Sequence, residues 1–240
     1  MSRSVLVLQH APWETPALIE TALGGLPIQR RIVLEERSPE LPPVSQLLGL
    51  VVMGGPQDAN DDQRYPGLSA ERRLLAEAVS ADVPVLGVCL GMQLLGLALG
   101  ATLHLQHGKE IGFAPVTLTE AGARDPVLGA FAAPSPSAGS PVFLHWHSDA
   151  VELPRGAELL ASTAVTPVQS FRIGSALGTQ FHPEADAALL ESWLGTPAMT
   201  DSLPAGLVGR IRADAATHLP GLRTAALAGF ASFADSVRRR

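Results

Sequence analysis

The chain has 240 residues, of which 46% are hydrophobic and 17% charged, so we expect a folded protein with an ample core rather than a disordered one. The net charge of -6, with no basic cluster except Arg238, Arg239 and Arg240, argues against a nucleic-acid partner. The single cysteine excludes an internal disulfide and fits a reducing compartment. The first apolar run, residues 5–8, is too short for a signal peptide, so we predict a cytoplasmic protein.

The first half of the chain alternates short apolar runs with amphipathic segments. Residues 5–8, 29–34, 49–53 and 83–88 predict strands. The intervening segments predict helices, one capped by Thr15 and one over residues 68–81 that turns Glu71 to solvent. This alternation is typical of an α/β fold with an open, mostly parallel sheet and helices on both faces, in which ligands bind at the carboxyl ends of the strands.

The second half contains more strand-like runs. These runs predict a smaller antiparallel portion; they are residues 114–118, 142–146, 159–161, 168–171 and 176–181. Residues 132–141, rich in proline, serine and alanine, predict a surface loop. Two amphipathic helices, residues 203–219 and 222–237, are expected to pack on the sheet with Phe230 and Phe233 as anchors. We therefore predict one domain over residues 1–240 with a helical extension from about residue 195 to 240.

Cys89 lies between a predicted strand and a predicted helix, with Gly87 and Gly91 at equal distances on either side. This spacing is that of a nucleophile elbow, in which small neighbours let a strand turn sharply into a helix and expose the central side chain. The helix N-terminus would favour the thiolate. A buried structural cysteine is the alternative interpretation. The uncharged stretch 83–103 also suggests a membrane span, but its proline, four glycines and Gln93 argue against one.

Two further stretches could complete a site around this cysteine. Gly54 and Gly55 end a predicted strand, and their backbone N–H groups, with that of Leu90, could form an oxyanion hole, although a plain tight turn is the alternative. His182 follows the last predicted strand, and Glu184 comes two residues later. A distant histidine with a carboxylate beside it supplies the base and its orienting acid, so the sequence predicts a cysteine–histidine–acid arrangement.

These pieces together resemble the class I (triad-type) glutamine amidotransferases. Residues 87–93 (GVCLGMQ) resemble the nucleophile motif of that family, residues 53–56 (MGGP) its oxyanion strand, and residues 178–184 (GTQFHPE) its His-Pro-Glu motif. The stretches 109–112 (KEIG) and 145–149 (HWHSD) resemble the standalone GMP-synthase-like group, which includes γ-glutamyl peptidases. The resemblance covers residues 5–193 and implies a flavodoxin-like parallel sheet.

The resemblance also implies roles for individual residues. Cys89 would be the nucleophile, His182 the general base and acid, and Glu184 the orienting carboxylate, with Gly55 and Leu90 holding the oxyanion. Three further residues would contact the glutamyl group: Gln93, His147 and Ser148. The implied reaction forms a γ-glutamyl thioester from a small-molecule γ-glutamyl substrate, releases ammonia or an amine, and needs no cofactor. Thr179 stands where the family usually has an apolar residue.

Three functions follow as hypotheses. The protein is a self-sufficient γ-glutamyl hydrolase, a glutaminase subunit that passes ammonia to a separate synthetase, or a binding protein without activity. The chain contains no Ser-Gly-Gly phosphate loop, so we expect that it cannot activate a nucleotide alone. The oligomeric state and the role of His10 stay open, as do those of Lys109 and Glu110, the latter either lining the pocket or holding a surface turn. We expect no metal site, because no carboxylate or third histidine is spaced to complete one with His145 and His147.

Overall fold

A computed structural model describes residues 3–132 and 140–240 of the protein. The strands are, in chain order, β1 Ser4–Leu8, β2 Ile28–Arg31, β3 Leu47–Val52, β4 Val85–Val88, β5 Leu103–His104, β6 Glu110–Pro115, β7 Thr117–Leu118, β8 Val142–His147, β9 Ala150–Val151, β10 Glu158–Ser162, β11 Ser170–Ile173 and β12 Ala176–Thr179. The α-helices are α1 Ala17–Ala22, α2 Gly67–Ser80, α3 Leu90–Ala98, α4 Glu120–Arg124, α5 Leu128–Ala132, α6 Ala187–Leu194, α7 Pro197–Thr200 and α8 Leu207–Arg238.

Eight strands form the central sheet, in the order β2-β1-β3-β4-β12-β11-β10-β7. The neighbours from β2 to β12 run parallel, and those from β12 to β7 run antiparallel. Two small antiparallel pairs, β5 with β9 and β6 with β8, lie beside it. The predicted α/β fold with a mostly parallel sheet and a smaller antiparallel portion is confirmed.

Side chains from opposite faces of β1 enter two separate parts of the core. Val5 and Val7 pack with residues of α1, α5 and α8, whereas Leu6 and Leu8 pack with residues of α2 and α3. This follows from the two-residue period of a strand, which sends successive side chains to opposite faces. Continuous apolar strands such as LVL therefore indicate a sheet covered by helices on both faces, as the structure shows.

The C-terminal part differs from the prediction in one respect. The two helices expected at 203–219 and 222–237 are a single helix, α8, which continues through Pro220. Proline lacks the N–H that would bond one turn back, but Leu219 before it and Ala225 after it are both buried, so packing holds the helix on either side. Phe230 and Phe233 are buried against the sheet layer, as expected.

Other local expectations also need correction or lie outside the described residues. Helix α1 is preceded by Pro16 as its N-cap, and Thr15 does not cap it. Most of the surface loop predicted at 132–141 falls on residues 133–139, outside the described ranges. None of the helices in the described part of the chain combines the length and apolar character that a membrane crossing needs.

The parallel strands bring the chemically interesting residues together. His10 follows β1, Gly54 follows β3, Cys89 follows β4 and His182 follows β12. These four strands are consecutive neighbours in the sheet, and all run in the same direction. Their carboxyl ends therefore meet at one edge, which is where ligands bind in open α/β sheets.

Candidate active site

Cys89 occupies the turn between β4 and α3 in a conformation that few residues other than glycine adopt. Its φ is 52° and its ψ is -108°, and its N–H donates to the Thr179 carbonyl at 2.8 Å. The flanking glycines are required by close packing: a Cβ on Gly91 would lie 2.0 Å from the Val52 carbonyl oxygen, and one on Gly87 would lie 2.6 Å from the Gly91 carbonyl oxygen. The strained elbow predicted from the sequence is present.

His182 and Glu184 form a buried pair beside this cysteine. His182 Nδ1 lies 2.8 Å from Glu184 Oε1, and the two side chains are 2% and 0% exposed. His182 Nε2 is buried and has no hydrogen-bond partner among the described residues, so it is free to act on another group. Burial disfavours the charged imidazolium, but Glu184 and then Cys89 outweigh it and hold the pKa of His182 well above its ordinary value.

Cys89 and His182 line one cavity of about 430 Å³. Cys89 is 7% exposed, and its Sγ lies 3.8 Å from the Trp146 carbonyl oxygen. Glu184 does not line the cavity, so it meets only the far nitrogen of the imidazole. The sulfur and the histidine from the two ends of the predicted triad therefore face the same space, and the acid lies behind the histidine.

The peptide between Gly54 and Gly55 has a fixed orientation. His10 Nδ1 lies 3.0 Å from the Gly54 carbonyl oxygen and must be the donor, because a carbonyl only accepts. In a trans peptide the C=O and the next N–H point in opposite directions, so the Gly55 N–H points away from His10. No acceptor in the described part of the chain bonds to the N–H of Gly55 or of Leu90, the first residue of α3. Gly55 lines the cavity, whereas Leu90 is 1% exposed and is not among the residues that line it.

His10 is itself held by a carboxylate on α2. Its Nε2 lies 2.9 Å from Glu71 Oε2, and the two side chains are 0% and 1% exposed. Burial opposes a charge on His10, but Glu71 and the Gly54 carbonyl raise its pKa overall. The prediction that Glu71 faces solvent is therefore wrong, since the helix turns this carboxylate inward to the end of β1. Sequence reasoning left the role of His10 open, and the structure makes it the link between α2 and the Gly54–Gly55 peptide.

The other predicted contact residues also lie at the cavity. Gln93, His147 and Ser148 all line it. Gln93 Nε2 lies 3.2 Å from Gln180 Oε1 and 3.4 Å from the Asp149 carbonyl oxygen, which fixes its side chain. Ser148 Oγ accepts from Gln106 Nε2 at 3.3 Å. A polar wall from α3 and from the end of β8 therefore faces the cysteine.

Glu14 is a cavity residue that the sequence reasoning did not identify. It is only 4% exposed, lines the cavity with Cys89 and His182, and its Oε2 is buried with no hydrogen-bond partner among the described residues. Burial, opposed by His182 and His10 and reinforced by Glu184, raises its pKa to about 7. A carboxyl two residues before a proline carries no recognisable local signal, and only the fold brings it beside the histidine.

Part of the cavity wall comes from the C-terminal region. The contributing residues lie on α7 and in the turn after it: Ala198, Met199, Ser202 and Leu203. Met199 is buried in a cluster with Trp193 of α6 and Ile211 of α8. The helical extension therefore contributes directly to the shape of the site.

Pairing of β6 with β8 brings the stretches 109–112 (KEIG) and 145–147 (HWH) together. Glu110 lies opposite His147, and one ligand atom from each of Glu110, His145 and His147 falls within 4.8 Å of the others, so the fold supplies the carboxylate that sequence spacing did not. Glu110 Oε2, however, already accepts from Gln169 Nε2 at 2.6 Å and from Thr163 Oγ1 at 3.0 Å. Burial lowers the pKa of His145 to about 4, so its imidazole is neutral. Glu110 is thus bonded to neighbouring side chains, whereas neither ring nitrogen of His145 has a hydrogen-bond partner in the described part of the chain.

The comparison with protein families identifies the family of the chain. The family model for "Glutamine amidotransferase class-I" matches residues 26–192, which include the cysteine elbow and the histidine–glutamate turn. The chain belongs to the class I glutamine amidotransferase family. The resemblance inferred from the three motifs is thereby confirmed.

The chain is similar to an amidotransferase-like protein and to GMP synthases. The glutamine amidotransferase-like protein YfeJ of Salmonella typhimurium is 40% identical over 147 residues, which is 59% of this chain and 59% of YfeJ. A glutamine-hydrolysing GMP synthase subunit from Natronomonas pharaonis is 30% identical over 77% of this chain and 89% of that protein. The GMP synthase of Hamiltonella defensa is 32% identical, but the match spans only 26% of its length.

Solved structures support the fold. A glutamine amidotransferase from Methylobacillus flagellatus superposes with a TM-score of 0.82 at 24% identity, over 98% of this chain and 96% of that one. A second, from Thermotoga maritima, gives 0.74 at 24% identity over 94% and 96% of the two chains. The chain thus shares its fold with solved structures of glutamine amidotransferases.

Proposed function

We propose that this protein hydrolyses a γ-glutamyl amide bond, in glutamine or in a γ-glutamyl amide or peptide, through a thioester on Cys89. The observation that carries the proposal is the shared cavity of Cys89 and His182, with Glu184 bonded behind the imidazole. Family membership supports a glutamine-directed reaction. We further propose that residues 1–240 act as one domain. We also propose that the protein works in a reducing compartment such as the cytoplasm, because oxidation of Cys89 would block the thiol.

The first half-reaction forms the thioester. The raised pKa of His182 favours the imidazolium, which stabilises the Cys89 thiolate as the attacking group. As the thiolate attacks the γ-carbonyl carbon, the N–H groups of Gly55 and Leu90 receive the developing oxyanion. His182 then gives its proton to the leaving nitrogen, the C–N bond breaks, and ammonia or an amine departs. Glu184 keeps the imidazole in position throughout.

The second half-reaction releases glutamate. Neutral His182 takes a proton from water as the water attacks the thioester, and the same two amides hold the second oxyanion. The thiolate leaves and again pairs with the imidazolium. Gln93, His147 and Ser148, on the polar wall of the cavity, are proposed to hold the glutamyl group during both steps.

A second candidate function is delivery of ammonia to a separate synthetase. It is favoured by the match to 89% of the length of a protein that is named as one subunit of a GMP synthase. The part of the cavity wall that α7 and the following turn contribute favours the self-sufficient hydrolase, because this chain supplies that wall itself.

The test is a panel of γ-glutamyl compounds, including glutamine and γ-glutamyl dipeptides, assayed for glutamate release and for a thioester trapped by rapid acid quench. We expect turnover by the wild-type protein alone and no turnover by Cys89→Ala, with His107→Ala, a variant of an exposed histidine, as the matched control. Equal glutamate release by Cys89→Ala would contradict both enzymatic functions. Release that begins only when a synthetase is added would favour the second.

A further inference from the structure

Glu14 is a buried ionisable group on the cavity wall, and the proposed reaction gives it no role. Its carboxyl and the His182 ring both contact Gly54: a Cβ added to that glycine would lie 2.7 Å from Glu14 Oε2 and 3.3 Å from His182 Cε1. Glu14 lines the cavity that also holds Cys89, and its Oε2 is buried with no hydrogen-bond partner in the described part of the chain. A buried carboxyl without a partner is costly unless a ligand or proton satisfies it.

Glu14 lies near the nitrogen-protonating group of the proposed reaction, since it lines the same cavity as His182 and both side chains approach Gly54. His182 must touch the leaving nitrogen in order to protonate it, so the released ammonia is formed beside the imidazole. Glu184 is excluded as a partner for that ammonia, because it is fully buried behind the ring and does not line the cavity. Glu14 reaches the same surroundings from the loop after β1 and is open to the cavity.

We propose that Glu14 is a binding site for the leaving ammonia or small amine, which it protonates and holds as a cation. This inference rests on the proposed function. Once the C–N bond has broken, the carboxylic acid form of Glu14 transfers its proton to the neutral ammonia, giving an ammonium ion paired with the Glu14 carboxylate. The ammonium ion then leaves, and the carboxylate recovers a proton from water. Ammonium has no free electron pair, so it cannot attack the thioester and reverse the reaction.

The surroundings of Glu14 suit this role. Its pKa of about 7 keeps a large fraction protonated near neutral pH, because burial disfavours the carboxylate more than His182 and His10 favour it, while Glu184 adds repulsion. Two further acidic residues of the cavity, Asp58 and Asp149, add negative charge against the single lysine, Lys109. A leaving group that becomes a cation is therefore favoured over one that carries a carboxylate near its nitrogen.

The experiment measures how the thioester partitions. Unlabelled glutamine is incubated with ammonium that carries a heavy nitrogen label. The measured ratio is the amount of labelled glutamine, formed by reversal, divided by the amount of glutamate, formed by hydrolysis. The concentration of free ammonia is kept the same in every sample. Both products come from the same thioester, so the ratio does not depend on how much active enzyme a preparation contains. We expect the ratio to rise about tenfold in Glu14→Gln below pH 7. A tenfold change corresponds to about one pKa unit in the driving force for the proton transfer that the variant lacks. Glu40→Gln, the same change at an exposed glutamate outside the cavity, is the matched control, and its ratio is expected to equal that of wild type.

The pH profiles of wild type and of Glu14→Gln give a second measurement. As pH rises through about 7, Glu14 loses its proton, so the ratio is expected to climb in wild type and to stay flat in Glu14→Gln. An equal ratio in the two proteins, a rise of the same size in Glu40→Gln, or a flat wild-type profile would overturn the assignment while leaving γ-glutamyl hydrolysis intact. Absence of any glutamate release by wild type would instead overturn the proposed function and this inference together.

Discussion

Removing His10 and Glu71 together tests whether the orientation of the Gly54–Gly55 peptide matters for catalysis. His10 donates to the Gly54 carbonyl at 3.0 Å and is held by Glu71 at 2.9 Å, and no other described side chain bonds to that carbonyl. Without this donor the peptide can rotate and withdraw the Gly55 N–H from the oxyanion. Loss of one oxyanion donor lowers kcat by about 10² to 10³-fold, or about 2.7–4 kcal/mol. KM is expected to stay constant, because the oxyanion exists only in the transition state.

The double variant separates this effect from stability. In His10→Ala alone, Glu71 keeps a side chain only 1% exposed with no partner, so the protein should lose about 3–5 kcal/mol of unfolding free energy. Adding Glu71→Ala removes the unpaired charge and should recover most of that loss in urea titrations. The kcat for glutamate release should nevertheless remain about a hundredfold low. A stable double variant with the kcat of wild type would refute the reasoning, as would a change confined to KM.

Three further predictions concern the elbow, the triad and a buried ion pair. Gly91→Ala should lower the thermal midpoint or prevent folding, because the added Cβ would lie 2.0 Å from the Val52 carbonyl oxygen. The expected loss of unfolding free energy is about 1–3 kcal/mol or more. An unchanged melting curve would contradict the tight packing at Gly91. Glu184→Gln should lower kcat about 10³ to 10⁴-fold while circular dichroism is unchanged, since the imidazole loses the carboxylate that orients it, and near-normal kcat would remove Glu184 from the proposal. Asp125→Ala should destabilise the protein by about 3 kcal/mol at neutral pH, because Arg172 loses its carboxylate. Burial opposes ionisation of Asp125, but Arg172 lowers the pKa of Asp125 overall. The stability that the pair contributes is therefore fully present above the pKa of Asp125 in the unfolded chain, and it is lost as the pH falls through the lower pKa of the folded protein. If the denaturation midpoints of wild type and Asp125→Ala do not converge in acid, this prediction is contradicted.

The parts that could be predicted from sequence are those with a local signal. The elbow needs small residues on both sides of Cys89, and the apolar runs mark the parallel strands, so the fold and the three motifs could be recognised from short stretches. The need of an elbow cysteine for a distant base pointed to His182 with Glu184 beside it, and the family resemblance then gave the same three residues.

The parts that were missed depend on contacts between distant residues. Amphipathic spacing put Glu71 on the solvent face, because periodicity cannot detect a histidine that lies 61 positions away at a strand end. Glu14 reaches the cavity through the loop after β1, and Glu110 meets His147 through strand register, neither of which composition can reveal. Pro220 suggested a break between two helices, but burial on both sides of it overrides the missing hydrogen bond.

The contribution of α7 to the cavity has a consequence for how selectivity could diversify. Met199 and Leu203 border the cavity, yet both lie beyond residue 192, where the match to the family model ends. Cys89, His182 and Glu184 thus lie in one stretch of chain, and this part of the cavity wall lies in another. Exchanging the short segment between α6 and α8 would reshape the cavity and leave all three of those residues in place.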